Sequence, residues 1–571
     1  MNMIAEVIPQ IRLPRRFSFF DYGVSDLKIN IGDVVRISFK NREVLGVVRG
    51  LRKESTHKVQ NIISIIEPEF LNSDDIKRLE SIATNIAQSP STVLHTTLFG
   101  FRNKKDEVKQ NHISYPKLMI DKQTAKQVSA VMAELKDKNQ LFFQTNIEGA
   151  LTLAYALTKQ FKNQILILAP HERDAKVIHK LIDFKYKTAV LHGKCTTADR
   201  NAIIRSWQSG ETKILISTRQ GSLLPAKKID AILVIDAGSI DHKNWDRNPR
   251  YDARLAAELL ANQHQAKLVF TGFTPRLLDI FEKRLIIFSQ STDAQIINLS
   301  AREEYSGIPL ISDTLKNKIS EVLKTNKQTL LVYNQKGVAK RLQCSVCRHI
   351  PFCGTCGANP VVRTSDLLCP VCKTEMWIPK KCPACGDDKL KPRGVGNKKI
   401  KTELQKAFPG KSISIVDKQN IENLNADILI VTEYFFQAIH YPFMKNKFGL
   451  VADICIDLGL GGGYDSSEIT AMKLNRLLAI AKQQKADCII QTWIPEEIKK
   501  MMNLKRFLDS ELDIRSKYRL FPAFEAITMR APGKNFEDVI RSSVVNITEK
   551  IALTTIENSC IIDTELRNYD I

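Results

Sequence analysis

The stretch Ala231-Ile232-Leu233-Val234-Ile235-Asp236 places five apolar residues in a row before an aspartate. A short apolar run of this kind is typical of a strand buried on both faces, as in a parallel sheet. Similar runs recur along the chain, with helix-like stretches such as Ala150–Lys159 and Ala253–Ala261 between them. The runs lie at 141–143, 165–168, 214–216 and 268–270, and again at 328–334, 412–416, 427–432, 451–457 and 487–492. Strands that alternate with helices predict an α/β fold with two parallel-sheet lobes.

The composition indicates a globular protein with a polyanionic partner. The chain has 571 residues, which suggests about four domains, and its 43% hydrophobic content excludes global disorder. Nowhere do about 18 apolar residues run without a charge, so the sequence predicts no membrane span. The first residues lack the layout of a secretory signal, which predicts a cytoplasmic protein. The net charge of +22 favours nucleic acid as partner, although a basic protein without such a partner has the same composition.

Eight of the twelve cysteines are clustered in four C-x-x-C pairs. The pairs are Cys344/Cys347, Cys353/Cys356, Cys369/Cys372 and Cys382/Cys385. Each pair puts two thiolates on one turn, and two pairs complete a tetrahedral four-cysteine zinc site. We therefore predict two Zn²⁺ ions with a structural role, because closed all-cysteine sites leave no position for a catalytic water. Spacing alone allows three pairings of the four units, and a redox dithiol is the alternative function for such a pair.

Several further segments identify a known family. Before the cysteines stands Tyr333-Asn334-Gln335-Lys336-Gly337-Val338-Ala339, and after them come Gly394-Val395-Gly396-Asn397 and Phe408-Pro409-Gly410. Upstream are Arg16-Phe17-Ser18-Phe19 and Pro249-Arg250-Tyr251-Asp252-Ala253-Arg254. Together with the four C-x-x-C units, and in this order, these segments resemble primosomal protein N′, the PriA family of replication-restart helicases. The resemblance covers nearly the whole chain.

The resemblance implies an α/β fold with two RecA-like parallel-sheet lobes and four further parts. The implied boundaries are an N-terminal β DNA-binding domain at 1–68, a helical, winged-helix-like segment at 70–102, lobe 1 at 115–295, lobe 2 at 305–343 and 386–500, a two-zinc insertion in the second lobe at 344–385 and a small C-terminal α/β domain at 505–571. The residues themselves agree with the first two of these parts. Two apolar runs around Lys40-Asn41-Arg42 predict a hairpin within 1–68, and Asn72-Ser73-Asp74-Asp75 predicts the start of a helix within 70–102.

The family also implies site residues. The outer two cysteine pairs share one zinc and the inner two share the other, so Cys344, Cys347, Cys382 and Cys385 would form one site and Cys353, Cys356, Cys369 and Cys372 the second. The implied DNA contacts are Arg16, Phe17, Phe19, Arg42, Thr218, Arg219, Trp245, Arg250, Tyr251 and Arg254. Such contacts need cations for phosphates and flat rings for bases. Core packing is the alternative role for Phe17, Phe19 and Tyr251, because aromatic side chains mostly lie in cores.

The sequence departs from the family at its nucleotide site. A motor needs a phosphate cradle of the pattern G-x-x-x-x-G-K-[ST] after a buried strand. Gly149 is present there, but Ala150 stands at the lysine position. A motor also needs a pair of acidic residues after another buried strand. Asp236 provides the first of these two carboxylates, and the second is lost. The arginine box of lobe 2 is missing from 477–485. A lost general base costs roughly 10²–10⁴ in rate and a lost arginine finger roughly 10³–10⁵. We therefore predict a degenerate nucleotide site at Gly149, Ala150 and Asp236.

The sequence thus predicts a PriA-like replication restart protein that binds forked or single-stranded DNA and promotes primosome assembly, with a catalytically dead helicase motor. The expected partners are DNA and primosome or replication proteins, and no membrane. The expected cofactors are two structural zinc ions, and ATP is not expected. The alternatives are an active ATP-dependent 3′–5′ DNA helicase with divergent motifs and a zinc scaffold that binds other replication proteins.

Overall fold

The computed structural model describes most of the chain up to residue 528. The described residues are 3–13, 17–54, 59–86, 88–97, 122–181, 186–244, 249–287, 293–300, 310–334, 341–347, 349–354, 360–362, 366–369, 374–393, 396–417, 423–436, 447–460, 465–518, 520–523, 525–528, 551–554 and 563–564. No helix within these ranges combines the length and the apolar character that crossing a bilayer requires.

The N-terminal part is a six-stranded sheet. Its strands are β1 (Ile4–Pro9), β2 (Phe20–Gly23), β3 (Val34–Phe39), β4 (Arg42–Arg52), β5 (Gln60–Asn61) and β6 (Ser64–Glu67), in the order β5-β2-β1-β4-β3-β6. The predicted hairpin is present, because β3 pairs antiparallel with β4. Lys40 and Asn41 both have positive φ, as a two-residue hairpin turn requires.

Two helices follow this sheet and join it to the next part of the chain. They are α1 (Ser73–Asn85) and α2 (Pro90–Thr97). The predicted start of α1 is present as a capping box, in which the Asp75 amide donates to Asn72 Oδ1 at 2.8 Å and the Asn72 amide donates to an Asp75 carboxylate oxygen at 3.2 Å. One apolar cluster contains Val34 of the sheet, Leu79 of α1 and Trp207 further along the chain, so these parts share a core.

Lobe 1 is a seven-stranded parallel sheet with helices on both faces. Its strands are β7 (Gln140–Gln144), β8 (Gln164–Leu168), β9 (Thr188–Leu191), β10 (Ile214–Ser217), β11 (Ile229–Val234), β12 (Lys267–Gly272) and β13 (Leu285–Ile287), in the order β13-β7-β12-β11-β8-β10-β9. Its helices are α3 (Lys122–Asp137), α4 (Ile147–Gln160), α5 (Glu172–Leu181), α6 (Thr197–Gln208), α7 (Ala253–His264) and α8 (Leu277–Phe281).

Lobe 2 begins with β14 (Gln295–Asn298), α9 (Asp313–Leu323) and β15 (Gln328–Val332), and the cysteine-rich insertion then interrupts it. The insertion has one two-stranded and one three-stranded antiparallel sheet. Its strands are β16 (Arg341–Cys344), β17 (Val361–Val362), β18 (Asp366–Leu368), β19 (Glu375–Trp377) and β20 (Leu390–Arg393). Pairing of β16 with β20 brings the two ends of the insertion together, so it leaves the sheet of lobe 2 intact.

After the insertion, lobe 2 is completed around a six-stranded parallel sheet. The remaining elements are α10 (Asn397–Ala407), β21 (Ile413–Val416), β22 (Ile428–Val431), β23 (Phe448–Asp453), α11 (Ser466–Gln484), β24 (Asp487–Thr492), α12 (Pro495–Met502) and α13 (Leu504–Lys517). The strand order is β14-β24-β23-β15-β22-β21. Three short strands follow, namely β25 (Glu525–Thr528), β26 (Ile551–Thr554) and β27 (Asp563–Thr564).

The predicted fold class is confirmed, since both lobes are parallel α/β layers and a small β domain precedes them. Every apolar run that the sequence analysis assigned to a strand overlaps one, but the run at 451–457 extends past the end of β23 at Asp453, and Ile456–Gly459 form a 3₁₀ turn instead. Three strands of the lobes were missed, namely β9, β13 and β14, which have only three or four residues each. The predicted linker around Asn103 to His112 lies outside the described residues.

A buried arginine fixes the helical segment to lobe 1. Arg78 of α1 lies 3.3 Å from Asp75, and its guanidinium donates to the carbonyls of Ser222 and Leu224 at 3.1 and 3.2 Å and to Gln263 Oε1 at 2.7 Å. Its side chain is only 2% exposed, and burial lowers the pKa of Arg78. Because the accepting carbonyls end a 3₁₀ turn of lobe 1 (Arg219–Leu223), the cation also sits at the favourable end of that turn.

Arg78→Ala should weaken the attachment of α1 to lobe 1, because it leaves the buried Asp75 without its cation and the Ser222 and Leu224 carbonyls without this donor. Removal of one partner from a buried ion pair costs about 3–5 kcal/mol. We expect a lower first melting transition by circular dichroism and faster release of an N-terminal fragment by limited proteolysis. Lys77→Ala on the same helix is the control, since Lys77 and Asp74 form an exposed pair and such pairs contribute about 0–1 kcal/mol. Equal effects of the two variants would contradict the structural role of Arg78.

Candidate functional site

The candidate motor cleft lies between the lobes, where the strands of lobe 1 end. Ligands of open α/β sheets bind at this edge, outside the carboxyl ends of the strands. The cleft contains a small cavity of about 60 Å³ and an adjoining groove of about 850 Å³. Four residues line both spaces, namely Asp236 and Phe273 of lobe 1 and Phe436 and Arg476 of lobe 2.

The phosphate-cradle position is a tight strand-to-helix turn. Strand β7 ends at Gln144 and α4 begins at Ile147, so two residues make the connection. Asn146 caps α4, and its side-chain oxygen accepts from the Gly149 amide at 2.9 Å. A phosphate cradle needs a longer loop whose free N–H groups surround the anion. This connection has no such loop, and one of the amides that a phosphate would use is already bonded to the cap.

Gly149 and Ala150 have packing roles in this turn. A Cβ on Gly149 would lie 1.9 Å from Thr145 Oγ1, so the glycine is required by close approach rather than by an anion. Ala150 is 2% exposed and belongs to the apolar core of lobe 1. Ala150 also lines the small cavity of the cleft, where its methyl group offers no cation to a phosphate.

Asp236 stands two residues beyond β11, in the left-handed region with φ of 50°. The following amide, Ala237 N, donates to Thr271 O at 2.7 Å and ties this turn to the end of β12. Burial raises the pKa of Asp236, and the nearby Arg476 opposes this effect. The structure thus places the retained carboxylate in the cleft, as a ligand for a cation would be, but with an arginine of lobe 2 already nearby.

Arg476 is a cleft residue that the sequence analysis missed. It lies on α11, one residue before the 477–485 segment in which the arginine box is missing. Its guanidinium pairs with Glu433 and lies 4.3 Å from the ring centroid of Phe436. Glu433 is fixed in turn by Asn334, which accepts from the Glu433 amide at 2.8 Å and donates to its carboxylate at 3.0 Å. This arginine is therefore neutralised by a carboxylate of its own lobe.

A second missed carboxylate faces the cavity from lobe 1. Asp174 of α5 is 2% exposed and lines the small cavity with Asp236. His171 lies between Asp174 and Asp241, with ring nitrogens 2.9 and 2.7 Å from their carboxylate oxygens. Burial alone lowers the pKa of His171, but the two carboxylates outweigh burial and raise the pKa to about 9. At neutral pH the cleft edge therefore carries a histidine cation held by two carboxylates.

The predicted DNA-contact residues of lobe 1 mostly point inward. Tyr251 is 2% exposed, so its ring lies in the core rather than on a surface where a base could stack. Arg219 donates to the carbonyls of Asp241 and Lys243 at 2.9 and 3.2 Å. Arg254 donates to the Ala237 carbonyl at 2.6 Å and pairs with Asp252. These two arginines hold the loop that follows Asp236.

The remaining lobe 1 contacts are placed as follows. The Thr218 amide donates to Leu191 O at 3.1 Å, at the end of β10, and Arg250 is half-buried at the start of the segment before α7. Trp245 lies outside the described residues.

The predicted contacts of the N-terminal sheet divide into a packed and an exposed set. Phe19 packs against the shared core, and Arg49 covers its ring at 4.5 Å. Phe17 is 36% exposed and stacks on Phe20 with ring centroids 5.8 Å apart, and Phe20 contacts Phe39 edge-on at 5.1 Å. Arg42 is exposed at the start of β4, three residues from Phe39 in the same hairpin. Arg16 lies outside the described residues.

Four cysteines of the insertion come together as a candidate metal centre. The sulfur atoms of Cys344, Cys347, Cys382 and Cys385 all lie within 4.8 Å of one another. Cys344 Sγ is 3.7 Å from Cys385 Sγ, and Cys347 Sγ is 3.6 Å from Cys382 Sγ. Four sulfur ligands at about 2.3 Å from one ion lie about 3.8 Å apart in a tetrahedron. The donor set and its spacing therefore fit a metal ion.

Hydrogen-bonded backbone turns position these cysteines. The amides of Cys344 and Cys382 donate to the carbonyls five residues later, those of His349 and Asp387, at 2.9 and 2.7 Å. The Cys369 amide makes the same bond to Thr374 O at 2.9 Å. Cys353 and Cys369 are both buried, whereas Cys356 and Cys372 of the predicted second site lie outside the described residues.

Comparison with known proteins agrees with these parts. A family model for a 3′ DNA-binding domain matches residues 6–98, and one for the helicase conserved C-terminal domain matches residues 148–223. The replication restart protein PriA of Rickettsia prowazekii is 27% identical over 95% of this chain and 89% of its own length. The protein of that name from Borreliella burgdorferi is 26% identical over 66% of this chain and 61% of its own length.

Among solved structures, helicase Lhr of Mycobacterium smegmatis bound to single-stranded DNA and AMP-PNP is 10% identical, with a TM-score of 0.37 over 66% of this chain and 47% of that chain. The chain is thus similar along nearly its whole length to the replication restart protein PriA of Rickettsia prowazekii, and its N-terminal sheet with the two following helices matches a 3′ DNA-binding domain.

Proposed function

We propose that this chain binds forked or single-stranded DNA at stalled replication sites, promotes primosome assembly and does not hydrolyse ATP. The observation that carries the proposal is the two-residue turn between β7 and α4, capped by Asn146, at the place where a phosphate cradle would lie. As a protein acting on replicating DNA, it would work in the cytoplasm with other replication proteins as partners.

Phosphoryl transfer requires a lysine, a pair of carboxylates and an arginine. In this chain two of these groups are replaced and the third is paired with another side chain. Ala150 replaces the lysine, Ala237 replaces the second carboxylate, and Arg476 is paired with Glu433. Loss of a general base costs roughly 10²–10⁴ in rate, and loss of an arginine finger costs roughly 10³–10⁵. Effects of residues that act together are not additive, but each loss alone removes most of the rate.

The space in the cleft supports the same conclusion. Pockets for small molecules typically have about 300–1,000 Å³, and the cavity at the strand ends has about 60 Å³. The adjoining groove is large enough at about 850 Å³. However, its lining sets four carboxylates against four lysines and arginines and the His171 cation, so its positive excess is small compared with the charge of a triphosphate. These residues are Glu172, Asp236, Asp241 and Glu433, with Arg173, Lys194, Lys473 and Arg476.

The proposal of DNA binding rests on the N-terminal sheet and on charge. The match to a 3′ DNA-binding domain covers the sheet and both following helices, and the chain carries a net charge of +22. The exposed ring of Phe17, backed by Phe20 and Phe39, offers a stacking surface beside Arg42. A stacked base and a nearby cation are the two contacts that single-stranded DNA needs.

We further propose two structural zinc ions in the insertion. Cys344, Cys347, Cys382 and Cys385 would hold one ion, and Cys353, Cys356, Cys369 and Cys372 would hold the other. The repeated turn at Cys369 supports a second site built like the first. The insertion has a small apolar cluster around Leu342, Val362 and Leu367, and small domains of this kind usually need a metal to fold. With four thiolates bound, each ion cross-links its turns.

The full chain should bind forked DNA without turning over ATP. We expect affinity for a labelled fork to fall steeply between 50 and 200 mM salt, because bound phosphates release counterions. Phosphate release with single-stranded DNA and Mg-ATP should equal that of a blank without protein. Asp236→Asn is the matched variant: release by the unchanged protein that this substitution abolishes would establish an active motor. Capture of a replication protein without any fork binding would favour a scaffold role instead.

Phe17→Ala should weaken binding to single-stranded DNA with a free 3′ end. Loss of one base–aromatic stack costs about 1–3 kcal/mol, which corresponds to a dissociation constant roughly 5- to 150-fold higher. Ile63→Ala is the control, because Ile63 is an apolar residue of the same domain with 46% exposure. Fluorescence anisotropy with a labelled oligonucleotide measures both. If the two variants bind equally well, Phe17 is not a DNA contact.

The purified chain should carry two zinc ions by native mass spectrometry. Cys382→Ser should remove one ion and Cys369→Ser the other, because three thiolates no longer close a tetrahedral site. Cys195→Ser should retain both, since Cys195 is half-buried in lobe 1, away from the insertion. A chain with no zinc, or a Cys382→Ser variant with unchanged metal content, would contradict the two-site assignment.

A further inference from the structure

The segment that follows β12 connects the two lobes through buried contacts. Phe273 belongs to lobe 1, but it packs against the apolar core of lobe 2. Leu277, the first residue of α8, forms an apolar cluster with Leu504 and Leu508 of α13, and Leu277 and Leu508 are at most 1% exposed. Separation of the two lobes at these contacts would expose these side chains to water.

A polar contact closes the same junction. Glu468 of α11 accepts from the Leu277 amide at 2.7 Å, at the N-terminus of α8. Its second carboxylate oxygen lies 3.0 Å from the guanidinium of Arg515 on α13, which is 1% exposed. Arg515 also pairs with Glu511 at 3.0 Å. A carboxylate of lobe 2 thus accepts a hydrogen bond from lobe 1 while it is paired with a buried arginine of its own lobe, so opening would break the bond to the Leu277 amide but not the ion pair.

Helix α8 is itself fixed to lobe 1 and cannot follow lobe 2 easily. Asp279 of α8 is fully buried and accepts from Arg276 at 2.7 Å and from Arg284. Arg284 also pairs with Glu258 of α7 at 2.7 Å. The guanidinium carbons of both arginines lie near the ring of Phe270, 4.9 and 4.6 Å from its centroid.

A further close approach lies on the other side of the cleft. Gly238 of lobe 1 contacts Met472 of α11 so closely that a Cβ on the glycine would lie 2.1 Å from the methionine methyl carbon. Arg173 of α5 contacts the hydroxyl of Tyr434 in lobe 2. The lobes therefore touch both at the α8 junction and across the groove.

We propose that Phe273, Leu277, Glu468, Leu508 and Arg515 form a fixed clamp that keeps the two lobes in one arrangement with or without nucleotide. Motors of two lobes work by closing around nucleotide and opening again, in motions of microseconds to milliseconds. The clamp would instead keep the relative position of the two lobes fixed. The clamp goes beyond the proposed function, because the motion of the lobes and the hydrolysis of ATP are separate properties that are measured separately.

The test is single-molecule energy transfer between the lobes of the full chain. The dyes are attached through non-natural amino acids at Lys126 of α3 and Lys406 of α10, which are exposed, because cysteine labelling would disturb the insertion. We expect one narrow distribution that does not move when AMP-PNP with Mg²⁺, or single-stranded DNA, is added. A second population, or a shift with either addition, would overturn the clamp.

Variants make the test specific. Glu468→Gln combined with Leu508→Ala should broaden the distribution toward lower transfer, whereas Glu497→Gln, an exposed residue of α12, should leave it unchanged. If the double variant does not fold, the single variant Glu468→Gln is measured instead. An energy-transfer distribution equal to that of the unchanged protein would then contradict the clamp. Phosphate release is followed in the same samples. Turnover with immobile lobes would contradict only the proposed function, and lobe motion without turnover would contradict only the clamp.

Discussion

All paired strands within each lobe are parallel, and this constraint decides what the cleft can do. Parallel strands all end at one edge, and residues that follow β7, β11 and β12 line the cleft there. The length of each connection at that edge then sets the local chemistry. Between β7 and α4 only Thr145 and Asn146 are available, and Asn146 is used as a helix cap. A short, capped turn gives a stable helix start and removes the space and the free amides that a phosphate would need.

Buried charges hold the parts of the chain together. Arg78 joins the helical segment to lobe 1, Asp279 with Arg276 and Arg284 anchors α8, and Arg515 with Glu468 joins α13 to α11. Although burial raises the pKa of Asp279, the two arginines outweigh it and lower the pKa to about 2, so this carboxylate stays ionised. Such groups are costly to bury but more costly to separate. Arg78 therefore favours one arrangement of the helical segment on lobe 1, and the other two groups favour one arrangement of the helices within each lobe.

The sequence predicted the parts of the fold that local patterns determine. Runs such as Ile165–Leu168 are buried on both faces and were assigned correctly, whereas Thr188–Leu191 was missed because it is short and begins with a polar residue. The cleft could be predicted only in part. Ala150 and Asp236 were located from their distance to a strand, but Arg476, Glu433 and Asp174 reach the cleft from separate elements, and no spacing reveals them. Burial likewise separates Tyr251 from Phe17, although both are aromatic residues near arginines.

The pairing of Arg476 with Glu433 affects how the cleft would receive a phosphate. A free arginine in this cleft would attract phosphate, but here its charge is already balanced within lobe 2 and its guanidinium lies on Phe436. Asp236 and Asp174 add two carboxylates on the facing side. His171 offsets the charge of Asp174, so the charges that line the cleft are largely balanced by pairs within each lobe. A phosphate entering the cleft would have to compete with these carboxylates for the same cations, and such competition is strong at low dielectric. This competition agrees with the proposal that the protein does not hydrolyse ATP.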